Sequence, residues 1–324
     1  MSDLDIISWF EKSQDTLFVS KNDKHDLRVS DCTEHFTKTA TLNEASVILG
    51  YPDEEGIKLN GGRLGAALAP IEIRRVLYKM TQSISSSKTL RLLDLGDLKN
   101  TNSLKENHER ARKTVSELLK KEARVITLGG GHDYGFSDMA AFCEHTISQG
   151  LRPLVLNFDA HLDVRPDTLG FNSGTPFYRL LNEFHKQIDF YEIGIQDWCN
   201  SRDHLKWAKE KNAKIITLDD ILNSGKSLLE FISAETFKVI TPDHRLAVSI
   251  DIDGFKSSDA PGASQVFPTG IDANQFLILW QSLISLYKPT VVGIYEVSPP
   301  LDSSLKTTQL AALLIHQFLY RSIK

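Results

Sequence analysis

The chain moves between two hydrophobic periods. Short apolar, β-branched runs recur as ASVILGY (45–51), RLLDLGD (91–97), RVITLGG (124–130), PLVLNFD (153–159), DFYEIGI (189–195), KIITLDD (214–220), RLAVSID (245–251) and TVVGIYEV (290–297). Most are nearly continuous rather than alternating, which predicts strands covered on both faces, as in a parallel sheet. Between them lie stretches with apolar residues three and four apart, the helical period. These are APIEIRRVLYKM, whose Pro70 suits a first helical turn, HERARKTVSELLKK, NSRDHLKWAKE, NQFLILWQSLISLY and LKTTQLAALLIHQFLY. Strand and helix alternate about eight times, which predicts a doubly wound α/β fold with right-handed crossovers. No Pro/Ser/Gly linker and no shift in composition divides residues 1–324, so a single domain is expected. The first 40 or so residues stay outside the alternation and are expected to pack on the body as an N-terminal extension.

Composition narrows the classes. With 41% hydrophobic and 24% charged residues the chain is ordinary globular material able to build a sizeable core. Its formal charge is -5, with no long basic run, which argues against a nucleic-acid partner. Cys32, Cys143 and Cys199 are far apart and form no CxxC pair, against a zinc ribbon or a disulfide framework and in keeping with a reducing cytosol. The N-terminus carries acids and no long apolar core, unlike a secretory signal, and the longest apolar runs are of strand length. A cytoplasmic protein without a membrane partner is the expectation.

In open α/β sheets ligands bind at the carboxyl ends of the strands. Four of the runs finish there in acids or histidines: His132-Asp133, then Asp159-Ala160-His161-Leu162-Asp163, then Asp251-Ile252-Asp253, and Glu296. Side chains alternate along a strand, so Asp159, His161 and Asp163 can project together if the chain stays extended, and Asp251 and Asp253 repeat the spacing. A lone DxHxD or DxD also occurs in solvated loops and helix caps. Gathered at the ends of strands of one sheet, four such carboxylates and two histidines could not all be buried without a strong positive charge among them. Divalent cations supply it. Imidazole and carboxylate without thiolate suit manganese, with zinc, iron and cobalt open. Two such ions sharing carboxylates can bind a water and lower its pKa to make a hydroxide, which is hydrolytic machinery.

The segments GGGHD (129–133), NFDAHLD (157–163), SIDIDGFKSSDAPG (249–262) and YEVSPP (295–300), with GRLGAALAPIEIRRVL (62–77), resemble the ureohydrolase family of arginase, agmatinase and formimidoylglutamase. The resemblance runs from about residue 45 to 322 and implies a three-layer arginase-like fold, a parallel eight-stranded sheet between helices. It implies two Mn2+ per subunit: one on His132 and Asp163, the other on His161 and Asp253, with Asp159 and Asp251 bridging. Glu296 would receive the amidine-type cation of the substrate. NSGTPFYRLL (172–181) and YEIGIQDWCNS (191–201) resemble the formimidoylglutamase branch. That implies hydrolysis of N-formimidoyl-L-glutamate to L-glutamate and formamide, a step of histidine breakdown, by a metal-bridging hydroxide. Other ureohydrolases, which release urea, and a non-catalytic metal-binding relative are the rival readings. Relatives often form closed oligomers, so a homo-oligomer is a further expectation.

Arg165 stands two residues past Asp163, where arginases usually have asparagine. An arginine can grip a carboxylate through two parallel hydrogen bonds, and formimidoylglutamate carries two carboxylates. The plainer reading pairs Arg165 with Asp167 or another surface acid. Ser173, Asn200 and, more weakly, Arg63 are further candidates for substrate contact. Ser173 replaces the proton-transferring histidine of arginases and agmatinases, so the proton for the departing amine has to come through water or Asp133, itself a candidate catalytic group. His108 and the remaining histidines read as ordinary surface or core residues.

Overall fold

The structure, a computed structural model, describes residues 5–42, 45–84 and 90–321. Each of the eight apolar runs forms a strand: β3 (Ser46–Gly50), β4 (Leu92–Leu98), β5 (Arg124–Leu128), β6 (Arg152–Phe158), β7 (Asp189–Ile195), β8 (Lys214–Thr217), β9 (His244–Asp251) and β10 (Val291–Tyr295). They lie in the order β4-β3-β5-β10-β9-β6-β7-β8, all parallel. The first 40 residues do more than pack on the body. They add β1 (Phe10–Glu11), antiparallel to β4, and β2 (Thr33–His35), parallel to it, so the sheet has ten strands. Both cover the outer edge of β4, whose backbone N–H and C=O groups would otherwise be unpaired.

Neighbouring residues on each central strand serve opposite layers, as a period of two requires. Ile126, Leu156, Val248 and Val292 pack under α2 (Ala69–Leu77), α9 (Ala273–Tyr287) and α10 (Lys306–Arg321), while Val125, Val155, Ala247 and Val291 pack under α3 (Leu104–Lys120), α4 (Tyr134–Ser148) and α5 (Pro176–Phe184). The apolar run at 214–220 departs from expectation. Its strand stops at Thr217, whose hydroxyl caps the helix Leu218–Asn223 by accepting from Asp220 N–H, while the Asp220 carboxylate accepts from Thr217 N–H. This reciprocal cap outweighs the apolar run. Helix α4 carries no amphipathic signal, because every residue from Tyr134 to Cys143 is buried. Among the described residues no helix is long and apolar enough to cross a membrane.

One ion cluster ties a helix to the sheet. Arg74 of α2 is fully buried and donates to Asp97 at 2.6 Å and to Asp94 at 3.1 Å, while Tyr78 donates to Asp94 at 2.6 Å. Burial works against the guanidinium charge, but the two carboxylates outweigh it and raise its pKa. Arg74→Ala would strand the buried Asp94 without its counter-charge and should destabilise the chain by about 3–5 kcal/mol. Chemical denaturation measures this; an unchanged midpoint would refute the cluster's role.

Candidate metal centre

The four central strands β5, β10, β9 and β6 end side by side, and the strand ends that carry the candidate ligands and Glu296 lie on them. Beyond β5 the chain turns through three glycines. A Cβ on Gly130 would strike the carbonyl oxygen of Asp53, so this turn needs glycine for close backbone approach. It delivers His132 in a fixed pose. The His132 N–H donates to Glu296 at 3.0 Å, its Nε2 meets Ser249 Oγ at 2.8 Å, and its ring stacks on Tyr295 at 4.9 Å. Tyr295 is itself anchored by donating to Asp138 at 2.6 Å. With Nε2 occupied, Nδ1 is the nitrogen left for the site.

Three carboxylates converge on that atom. Asp159 Oδ2, Asp163 Oδ2 and Asp251 Oδ2 lie 3.2, 3.1 and 3.1 Å from His132 Nδ1. On the other side, His161 Nδ1 lies 3.1 Å from Asp253 Oδ2 and 3.6 Å from Asp159 Oδ1. The six residues thus form two groups that share Asp159, one oxygen in each. Asp251 directs Oδ2 at His132, while its Oδ1 accepts from Asp253 N–H at 2.9 Å, so this carboxylate also lies against both groups.

The expectation of an extended chain from Asp159 to Asp163 is not met. Strand β6 ends at Phe158, and the chain bends through His161. Asp163 reaches the His132 group from a left-handed backbone, with φ of 46°, which is uncommon for a residue with a Cβ. His161 and Asp163 therefore face different groups. Asn200 fixes the bend: its Oδ1 accepts from Leu162 N–H at 2.8 Å and its Nδ2 donates to the carbonyls of Ala160 and Gln196, both at 2.8 Å. Expected as a substrate contact, Asn200 has its amide occupied by the loop that carries His161.

Charge is unbalanced here. Asp159 and His132 are fully buried, and Asp251, Asp253 and Glu296 nearly so. Burial and the neighbouring Asp159 push Asp163 up to about 6. Burial, then neighbouring acids, push Asp251 and Glu296 well above the carboxylate range. Burial would raise Asp159 too, but the adjoining His132 and His161 rings outweigh that and hold it low. These are the signs of a site built for positive charge. His132 Nδ1 supplies the test of fit: it is buried and without a hydrogen-bond partner, although three carboxylate oxygens surround it. Ligand atoms about 2.0–2.2 Å from a divalent ion and at right angles sit about 3 Å apart, the spacing found around this nitrogen. The donor set fits a pair of divalent cations.

A cavity of about 90 Å3 opens onto the two groups. Glu296 lines it, held at φ of 63° just past the end of β10, and so do Arg165 and Ser173. Arg165 donates to the Asn60 amide at 2.6 Å and, among the described residues, forms no ion pair with Asp167 or another acid. Arg63 is spent on the carbonyls of Ser264 and Ala263, at 2.9 and 3.0 Å. Asp133, a candidate proton source, does not line the cavity. Its buried carboxylate lies 2.6 Å from His108 Nε2, and Arg179 donates to His108 Nδ1 at 3.0 Å. Because arginine only donates, Nδ1 accepts and Nε2 carries the proton given to Asp133. His108, expected to be ordinary, is thus a buried link in the wall behind His132. No local pattern marks it, since its partners lie 25 and 71 residues away.

The arginase family's sequence profile matches residues 44–320. A formimidoylglutamase of Streptococcus gordonii is 32% identical over 279 residues, covering 83% of this chain and 82% of that one. The formimidoylglutamase of Bacillus subtilis superposes with a TM-score of 0.83 at 25% identity, covering 94% of each chain. A Trypanosoma cruzi formiminoglutamase solved with Mn2+ superposes at 0.78 and 24% identity, covering 91% of this chain and 98% of that one. The last shows likeness of fold.

Sharing of Asp159 predicts a graded metal loss. Asp159→Ala should deplete both groups, whereas Asp163→Ala and Asp253→Ala should each weaken one. Elemental analysis of manganese-soaked, desalted protein decides it; equal losses in all three variants would contradict the two-group arrangement.

Proposed function

The chain belongs to the arginase family, and we propose that it hydrolyses N-formimidoyl-L-glutamate to L-glutamate and formamide, a step of histidine degradation. The observation that carries this reading is Arg165. Among the described residues it is a cation without an acidic partner, on the lining of a cavity that Asp163, Asp251, Asp253 and Glu296 also line. An acidic substrate with an amidine-type end matches that polarity: carboxylate toward Arg165, cationic nitrogen toward Glu296. The name of the Streptococcus gordonii relative supports the same substrate.

His132 and Asp163 would hold one manganese ion and His161 and Asp253 a second, with Asp159 and Asp251 as the carboxylates shared between them. Bound there, the pair would polarise a water for attack near neutral pH. The chain's own part is positioning and charge. Glu296 is braced by His132 N–H and keeps the formimino group at the acidic end of the cavity. Arg165 holds a carboxylate at the other end, so that the formimino carbon is fixed between them. Water adds its oxygen to that carbon, and the bond from carbon to the glutamate nitrogen breaks. Formamide keeps the oxygen and the formimino nitrogen, and glutamate leaves as the amine. With serine at position 173 and Asp133 walled off by His108, the proton for the departing nitrogen comes through water in the cavity.

Purified protein supplied with manganese should release formamide from N-formimidoyl-L-glutamate and no urea from arginine, agmatine or guanidino acids. Urea release from one of these without formamide would replace this reading with another ureohydrolase activity. Bound manganese without turnover of any of these compounds would point to a non-catalytic relative. Arg165→Ala should retain its manganese and raise KM at least tenfold, the loss of a charged hydrogen-bonding partner being worth about 1.5–3 kcal/mol. A variant that lost manganese would show Arg165 to be structural.

A further inference from the structure

We propose that Asn60 is a positioning residue that gives the cavity its selectivity for an acidic substrate, by orienting Arg165 without cancelling its charge. The inference rests on the assignment of Arg165 to carboxylate binding. Asn60 follows the short helix α1 (Glu55–Leu59), and its backbone N–H closes that helix on Gly56 O at 3.1 Å. Its side chain joins two parts of the cavity wall. Oδ1 accepts from an Arg165 terminal nitrogen at 2.6 Å, and Nδ2 donates to Ser173 Oγ at 3.0 Å.

The backbone around this amide is fixed as well. Ser173 N–H donates to Gly56 O at 3.1 Å, and Arg165 N–H donates to Gly174 O at 2.8 Å. A Cβ on Gly174 would lie 2.8 Å from Arg165 Cδ and 3.3 Å from Asn60 Nδ2, so glycine lets the three side chains stack. The guanidinium thereby has one defined direction, with a single N–H engaged by the amide and others left to receive a carboxylate.

The chemistry of the amide decides what the cavity accepts. Among the described lining residues Arg165 is the one fixed cation, facing Asp163, Asp251, Asp253 and Glu296. An aspartate at position 60 would hold the guanidinium equally well but would form an ion pair with it, neutralising the charge a substrate carboxylate needs. A neutral acceptor is the group that orients without neutralising.

The test uses the full chain loaded with manganese. Asn60→Asp keeps the size of the side chain and its acceptor for Arg165, so a role in packing alone predicts near-normal behaviour. The electrostatic role predicts that Asn60→Asp raises KM for N-formimidoyl-L-glutamate at least tenfold with kcat within threefold, and weakens calorimetric binding of L-glutamate at least tenfold. Asn60→Ala should have a smaller effect on both. In an Arg165→Ala background Asn60→Asp should change glutamate affinity less than twofold, and bound manganese should match wild type throughout. Glutamate affinity of Asn60→Asp within twofold of wild type would overturn the proposal. So would an equal loss in the Arg165→Ala background, or loss of manganese from Asn60→Asp. The binding arm stands apart from turnover: wild type that releases no formamide refutes the assigned reaction, while glutamate affinity still decides the role of Asn60.

Discussion

Asp159 is buried without solvent contact at the centre of the sheet, and its two oxygens face two different histidines. Around it stand Asp163, Asp251, Asp253 and Glu296, with Glu192 behind, bonded like Asp159 to the amide of Asn157. Burial, and then Asp159 itself, push the Glu192 carboxyl well up. So many acids in so small a buried volume are tolerable only if protons or cations are drawn in among them. The glycine turn, the bend after β6 and the bracing of His132 all serve that arrangement. The same accumulation makes the site able to hold divalent ions and able to attract the cationic end of an amidine.

Local backbone strain also falls where the acids must be aimed. Asp163 and Glu296 both adopt positive φ, although other non-glycine residues that do so, such as Glu122 and Asn212, lie in surface turns. Conformations of this kind cost roughly 1–3 kcal/mol each and persist only where the surroundings over-determine them. Here the surroundings are visible. Phe177 N–H donates to Asp163 O at 3.1 Å, and Glu296 N–H donates to Gly130 O at 2.9 Å. Stability supplied by the core is spent on geometry at the strand ends.

A second layer holds the first. Asp138 receives the hydroxyls of Tyr51, Thr127 and Tyr295, each at 2.6 Å, and the Tyr295 ring supports His132. Arg179, with its guanidinium 3.7 Å from both the Phe136 and Phe171 rings, fixes His108, which fixes Asp133. Asn200 and Asn60 hold the loops after β6 by their amides. These neutral groups orient the charged ones without adding charge, which matters where the net balance is already strongly acidic.

How much of this the sequence determined follows from the range of the interactions. Eight strands were legible because burial on both faces leaves a continuous apolar run, and the six metal-ligand candidates because strand ends in this fold class point to one edge. The short strands β1 and β2 were not, since their pairing is decided by the open edge of β4 rather than by their own residues. Nor was the end of β8, where a local cap prevailed over an apolar pattern. Spacing places His161 and Asp163 together and only the family resemblance separated them; tertiary structure supplied the means, the bend after Phe158 and the positive φ at Asp163 that turn them to separate groups. It also withdrew Asn200 and Asp133 from the cavity and brought His108 and Asn60 into consequence. The side-chain partners that hold Asp133, His108 and Asn60 lie 25 to 113 residues away, and no local pattern records a hydrogen bond that closes only when distant segments pack.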